Sequence, residues 1–190
     1  MATINVLFAG VGGQGIVTAS DILAEAALAA GWGVKKAETH GMAQRGGGVT
    51  SHVRLDPAGE VHSPLIPEGQ ADYLVALEML EGLRSLWMLK DGGVVLADSR
   101  KIAPSGAHRG DAKYPDDAEA TLAARGAVVA ATEEATRLGD ARAANSVLLG
   151  MLATRLDIPE EAWQAAFGKC LKPKAAEVNW QAFLAGKAMA

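Results

Sequence analysis

The fold class this sequence predicts is α/β: an open, mostly parallel sheet with helices on both faces, a Rossmann-like start and a helical C-terminal region. Three observations carry it. Short apolar runs alternate with segments of helical periodicity, the order that builds a parallel or mixed sheet covered by helices. The first run ends in a glycine loop, Gly10-Val11-Gly12-Gly13-Gln14-Gly15. From Ala144 onward the chain reads as helix.

The elements follow in order. Ile4 to Ala9 is a short apolar run closed by glycine, the pattern of a buried parallel strand. From Ile16 apolar residues recur at 19, 23, 26, 27 and 30, while Thr18, Asp21 and Glu25 share the other face, so an amphipathic helix is expected. Gly31 is its expected terminator, and Gly33 to Ala37 a second strand. Val49, Ser51, Val53 and Leu55 alternate with Thr50, His52 and Arg54, which predicts a strand. Asp56-Pro57-Ala58-Gly59 is a turn. Pro64 and Pro67 push their predecessors away from helix, making 63–69 an irregular loop. Tyr73 to Leu77 is a strand. A helix marked by Leu80, Leu83, Leu86 and Trp87 ends before Asp91-Gly92-Gly93, and Val94 to Ala97 is the next strand. Asp116 or Asp117 caps a short helix through Arg125, followed by a strand from Ala127 to Ala131. Helices are expected over 144–156, from Pro159 to about Phe167, and from Lys174 to about Ala185, with 186–190 frayed.

At 190 residues the chain is expected to form one domain over 1–190, large enough for a full core. Its 18 Lys+Arg against 22 Asp+Glu argue against general nucleic-acid binding, which needs a basic patch. The one cysteine, Cys170, can neither pair internally nor hold a zinc ion or an iron–sulfur cluster alone, and is expected to be a small buried apolar residue. No apolar stretch is long enough to span a bilayer, and Met1 to Asn5 lacks the basic region of a signal peptide. A cytoplasmic protein without membrane contact is expected.

Gly10, Gly12 and Gly15 fit the spacing Gly-x-Gly-x-x-Gly between a strand and a helix. That arrangement suits a tight turn and amides aimed along a helix dipole at an anion. Glu38 stands near where a Rossmann domain keeps an acidic residue for the adenosine ribose. Spacing alone leaves several readings open: a nicotinamide or flavin site, another anionic ligand, a protein contact, or a turn that binds nothing. The side-chain amide of Gln14 is a candidate to hydrogen-bond a ligand or a neighbouring chain.

The window Glu38-Thr39-His40-Gly41-Met42-Ala43-Gln44-Arg45-Gly46-Gly47-Gly48 is too rich in glycine for a helix and too long for an ordinary hairpin. At the carboxyl end of a parallel strand it occupies the usual ligand position of open α/β sheets. His40 and Arg45 are candidates to hold a phosphate or carboxylate, with Gln44 orienting it; the alternative is that they bond local carbonyls. Elsewhere, His52 is expected to be a solvated or hydrogen-bonded strand residue, Asn145 the cap of its helix, and Trp163, Trp180 and Phe183 core or interface anchors. No Ser-His-Asp order, carboxylate pair or metal-ligand spacing is present, so no residue is assigned to bond making or to a metal.

The two glycine windows together resemble the gamma domain of 2-oxoacid:ferredoxin oxidoreductases. The resemblance continues through Ser63-Pro64-Leu65-Ile66-Pro67-Glu68-Gly69-Gln70-Ala71-Asp72-Tyr73-Leu74, through Ala76-Leu77-Glu78 with Leu80-Glu81 and Leu83-Arg84, and through Ala144-Asn145-Ser146-Val147-Leu148-Leu149-Gly150. These later stretches are most similar to beta subunits of indolepyruvate ferredoxin oxidoreductases. Gly82 departs from the bulkier residue expected there. The resemblance implies a subunit, inactive alone, of a complex that oxidatively decarboxylates a 2-oxoacid such as indolepyruvate or another aryl-pyruvate to an acyl-CoA and reduces ferredoxin. It implies coenzyme A as co-substrate and a larger alpha subunit carrying thiamine diphosphate, Mg²⁺ and 4Fe–4S clusters. Gly10, Gly12, Gly13, Gln14, Gly15, His40, Met42, Gln44, Arg45, Gly46 and Gly47 then become expected contacts to coenzyme A or the partner. The alternative is a self-sufficient NAD(P)- or FAD-binding oxidoreductase with Glu38 at the ribose.

Overall fold

The computed structural model describes residues 3–41, 47–103 and 113–190. Six strands form one sheet: β1 (Ile4–Val11), β2 (Gly33–His40), β3 (Gly48–Asp56), β4 (Ala71–Ala76), β5 (Leu89–Asp98) and β6 (Gly126–Val129). Their order is β2-β3-β1-β4-β5-β6. β1, β4, β5 and β6 run parallel, and β3 is antiparallel to both its neighbours. The α/β class is as the sequence predicts, and β3 is what makes the sheet mixed.

Side chains alternate across a strand, and in β1 both faces are buried. Val6 and Phe8 face one core, Leu7 and Ala9 the other. The first core is covered by α1 (Ile16–Ala29), α4 (Ala131–Arg137), α5 (Ala144–Ala153), α6 (Glu160–Cys170) and α7 (Pro173–Ala188). The second is covered by α2 (Met79–Ser85) and α3 (Ala118–Ala123). Trp163 and Phe183 lie in the first core, and Trp180 stacks on Phe183 with ring centroids 5.0 Å apart. Cys170 is only partly buried at the edge of that core, and burial pushes its thiol up.

Several boundaries differ from expectation for identifiable reasons. β5 begins at Leu89, and Gly92 and Gly93 fall inside it at a register shift rather than in a turn before it. β6 stops at Val129, and α4, which the sequence did not reveal, follows. Its buried residues are only Ala131 and Ala135, too small to mark a helical stripe. Asp117 occupies the cap position of α3 without a side-chain bond. α7 continues through Gly186 to Ala188, because Gly186 packs directly on the Val147 carbonyl of α5, where a Cβ would not fit. Gly82 has the same kind of cause: a Cβ there would stand 2.9 Å from that of Ala76. Buried Glu78 caps α2 through the Glu81 amide at 2.9 Å and also accepts from the Ile102 amide and the Tyr114 hydroxyl.

Candidate functional site

The crossover direction reverses between β1 and β4, so the crevice beyond their carboxyl ends is the switch point where open sheets admit ligands. The glycine turn lies there, joining β1 to α1. Gly13 has φ +94° and Gly15 φ +79°, conformations that strain any residue with a Cβ. Gly15 is the N-cap of α1, and the first turn of that helix holds no acidic residue. Its leading amides have no carbonyl one turn earlier in the helix to bond. The turn therefore offers an anion backbone donors at the positive end of a helix of 14 residues.

Gln14 is used within the chain. Its Oε1 accepts the Val11 amide hydrogen at 2.7 Å, and its Nε2 donates to the Leu77 carbonyl at 2.8 Å. The side chain expected to reach for a ligand instead fastens the turn to the end of β4. Gly10 gives it room, since a Cβ at Gly10 would stand 2.8 Å from Oε1.

The second window folds back onto this turn. β2 and β3 form an antiparallel pair, so the window links two neighbouring strands, and at its base the Gly41 amide donates to the Gly48 carbonyl at 2.9 Å. The Gly12 amide donates to the Gly47 carbonyl at 3.1 Å. Met42, Gln44, Arg45 and Gly46 lie outside the described residues. Gly12, Gly13, Gly15, Ile16, Val17, His40 and Val49 line a pocket of about 360 Å³ between the two windows. His40 is exposed at its mouth, with Nε2 3.9 Å from Glu38. On the other side of the turn, Gly13 and Gln14 share a crevice of about 230 Å³ with Asp98, Arg100, Thr132 and Arg142. Burial pushes the Asp98 carboxyl up, against the opposing effect of hydrogen bonds from Thr132 and the Arg100 backbone.

Glu38 is poorly placed for the ribose role. In a dinucleotide domain the acidic strand adjoins the first strand, whereas here β3 separates β2 from β1, setting Glu38 about 10 Å away across two strand spacings. Its carboxylate is already engaged by Lys36 Nζ at 2.6 Å. Burial works against the Lys36 charge, but Asp21 and Glu38 outweigh it and hold that amine above its ordinary range.

Asn145 does not cap its helix. A 3₁₀ turn, Ala141–Ala143, runs directly into α5 and leaves Ala143 at the cap position. The Asn145 side chain instead donates from Nδ2 to the Gly15 carbonyl at 3.0 Å. The sequence signal for this contact was a polar pair, Asn145-Ser146, opening an otherwise apolar helix. His52 accepts the Ile66 amide hydrogen on Nδ1 at 3.3 Å, and burial lowers its pKa.

Among the described residues no group of three or more His, Cys, Asp or Glu is placed to hold a metal ion, and no helix is long and apolar enough to cross a membrane. The described donors that line the pocket between the windows, backbone amides and an imidazole, suit the phosphates of a nucleotide-like ligand.

The sequence matches the family described as pyruvate ferredoxin/flavodoxin oxidoreductase over residues 5–189. It is 42% identical over 190 residues to the indolepyruvate oxidoreductase subunit IorB of Archaeoglobus fulgidus, covering 96% of this chain and 93% of that one. The fold is similar to the gamma subunit of the keto/oxoacid ferredoxin oxidoreductase of Geobacter sulfurreducens, with a TM-score of 0.72, 26% identity, and coverage of 98% and 95%. It also matches 2-oxoglutarate:ferredoxin oxidoreductase from Magnetococcus marinus, solved with 2-oxoglutarate, coenzyme A and succinyl-CoA bound, with a TM-score of 0.75 and 22% identity. That match covers 100% of this chain and 31% of the larger one.

Proposed function

The chain belongs to the pyruvate ferredoxin/flavodoxin oxidoreductase family as a subunit of a 2-oxoacid:ferredoxin oxidoreductase, and we propose that its glycine-turn end forms part of the coenzyme A site of that complex. Residues 1–190 act as one gamma-type domain whose partner is a larger alpha subunit. The substrate is indolepyruvate or a related aryl-pyruvate, as the similarity to the Archaeoglobus subunit suggests. The complex converts it to an acyl-CoA with ferredoxin as electron acceptor. Thiamine diphosphate, Mg²⁺ and 4Fe–4S clusters belong to the alpha subunit, where they supply the decarboxylation and electron-transfer chemistry. This chain binds and orients. The turn amides of Gly13 and of Gly15 to Val17 receive phosphate oxygens, the Gln14 amide being held by the Val11 carbonyl at 3.2 Å. His40 borders the pocket, and Met42, Gln44, Arg45, Gly46 and Gly47 complete the mouth or meet the alpha subunit.

The observation that carries this reading is the hydrogen bond between Gly12 and Gly47, which brings both glycine windows beside one pocket at a helix N-terminus that no described side chain caps. The self-sufficient dinucleotide enzyme has no such support, given the inserted β3 and the subunit-length match to the Archaeoglobus protein.

Val17→Glu tests it. A carboxylate in the first turn favours the helix by about 0.3–1 kcal/mol but places negative charge in the pocket. In the assembled complex KM for coenzyme A should rise about tenfold, with KM for the 2-oxoacid unchanged and Tm not lowered. An unchanged KM for coenzyme A in an intact complex contradicts the proposal.

A further inference from the structure

The glycine turn is fastened from a distant part of the chain. Asn145, 3% exposed, donates from Nδ2 to the Gly15 carbonyl at 3.0 Å, and that carbonyl also accepts the Ala19 amide at 2.9 Å. A Cβ at Gly15 would stand 2.6 Å from the same Nδ2, so a side chain there would drive Asn145 away. The next residue, Ser146, gives its hydroxyl hydrogen to Asn179 Oδ1 of α7 at 2.6 Å, and Asn179 Nδ2 is fixed on the Ala175 carbonyl at 2.9 Å. Gly186 lets α7 lie directly on the α5 backbone.

A peptide unit is planar and trans, so its C=O and the following N–H point in opposite directions. Holding the Gly15 carbonyl toward Asn145 and Ala19 therefore holds the Ile16 N–H pointing the other way, out of the N-terminus of α1. Ile16 lines the pocket between the glycine windows, and Asn145 does not.

We propose that Asn145 is a positioning residue for coenzyme A binding: anchored on the α5–α7 pair, it fixes the Gly15–Ile16 peptide so that the turn amides are oriented for a phosphate before the ligand arrives. This rests on the coenzyme A reading above. Asn145→Asp keeps the shape and removes the donor, and Asn145→Ala removes both. The assembled complex with its alpha subunit is assayed for KM of coenzyme A and of the 2-oxoacid, for Tm, and for amide exchange at residues 12–17. Either variant is expected to raise KM for coenzyme A about tenfold and to speed exchange at 12–17 by a similar factor, leaving KM for the 2-oxoacid unchanged. Exchange at 12–17 like that of the native chain overturns the proposal, as does a fall in Tm with both KM values unaltered, which marks a packing role only. If Val17→Glu raises KM for coenzyme A and neither Asn145 variant does, positioning fails and the site stands. If none of the three raises it, the site reading fails and the inference falls with it.

Discussion

The amide of Gly12 donates to the carbonyl of Gly47 at 3.1 Å, continuing the β1–β3 pairing of Val11 with Gly48 and joining the glycine turn after β1 to the connection between β2 and β3. Neither segment is a site alone. The turn supplies backbone donors, and the β2–β3 pair brings His40 and Val49 to the same pocket.

Gln14→Glu separates a latch from a ligand contact. The new carboxylate retains the acceptor for the Val11 amide but opposes the Leu77 carbonyl, where Nε2 now donates at 2.8 Å. Loss of that donor, with an unpaired carbonyl facing a charge, is expected to cost about 1–3 kcal/mol in urea unfolding at pH 7.5. Near pH 4.5, where the variant's own carboxyl takes up a proton and can donate again, the deficit should shrink. A deficit that is negligible at both pH values would mean the latch contributes nothing.

Gly186→Ala tests the α5–α7 contact. A Cβ at Gly186 meets the Val147 carbonyl and stands 3.0 Å from the Val147 Cα, a backbone that cannot swing aside. The variant should lose about 3 kcal/mol, the upper part of the overpacking range, and thermal melts of native and variant chains measure it. A change below about 0.5 kcal/mol, typical of open surface sites, would show that the helices do not approach this closely.

His52 gives a pH dependence of known sign. Its neutral Nδ1 accepts the Ile66 amide, and burial lowers its folded pKa below 6.5. The native chain thus binds fewer protons than the unfolded one, and stability present above pH 6.5 is lost as pH falls through the folded pKa. Unfolding curves for the native chain and for His52→Leu between pH 7.5 and 5 should converge as pH falls, because only the native chain loses stability through this group. Parallel curves would mean that the imidazole does not titrate with folding.

Much of the fold is legible in the sequence because period and punctuation agree. Val6, Phe8, Val53 and Leu55 declare their faces by alternation, and the stripe through Ala19, Leu23, Ala26 and Ala27 declares α1. Direction is different. The alternation of Val49, Ser51, Val53 and Leu55 assigns faces and says nothing of which way the strand runs, so the insertion of β3 beside β1 was not readable. That insertion is also what strips Glu38 of the meaning its spacing suggests. At the site, the glycine windows were visible as composition and the Asn145-Ser146 pair marked a polar group on an apolar helix, whereas the partners in the Gly12–Gly47 and Asn145–Gly15 bonds lie far apart in sequence and no local pattern pairs them. Gln14 shows the same limit: its chemistry was readable, but the partners it chose were two backbone groups already beside it.

The most direct measurement is amide hydrogen exchange at residues 12–17 of the assembled complex, with and without saturating coenzyme A. Bound phosphate should occupy the free turn amides and slow exchange at Gly13 and at Gly15 to Val17 by about tenfold or more, with β6 and α3 unaffected. Identical exchange at those residues in the two conditions, in a complex that turns over coenzyme A, would contradict a coenzyme A site at the glycine turn.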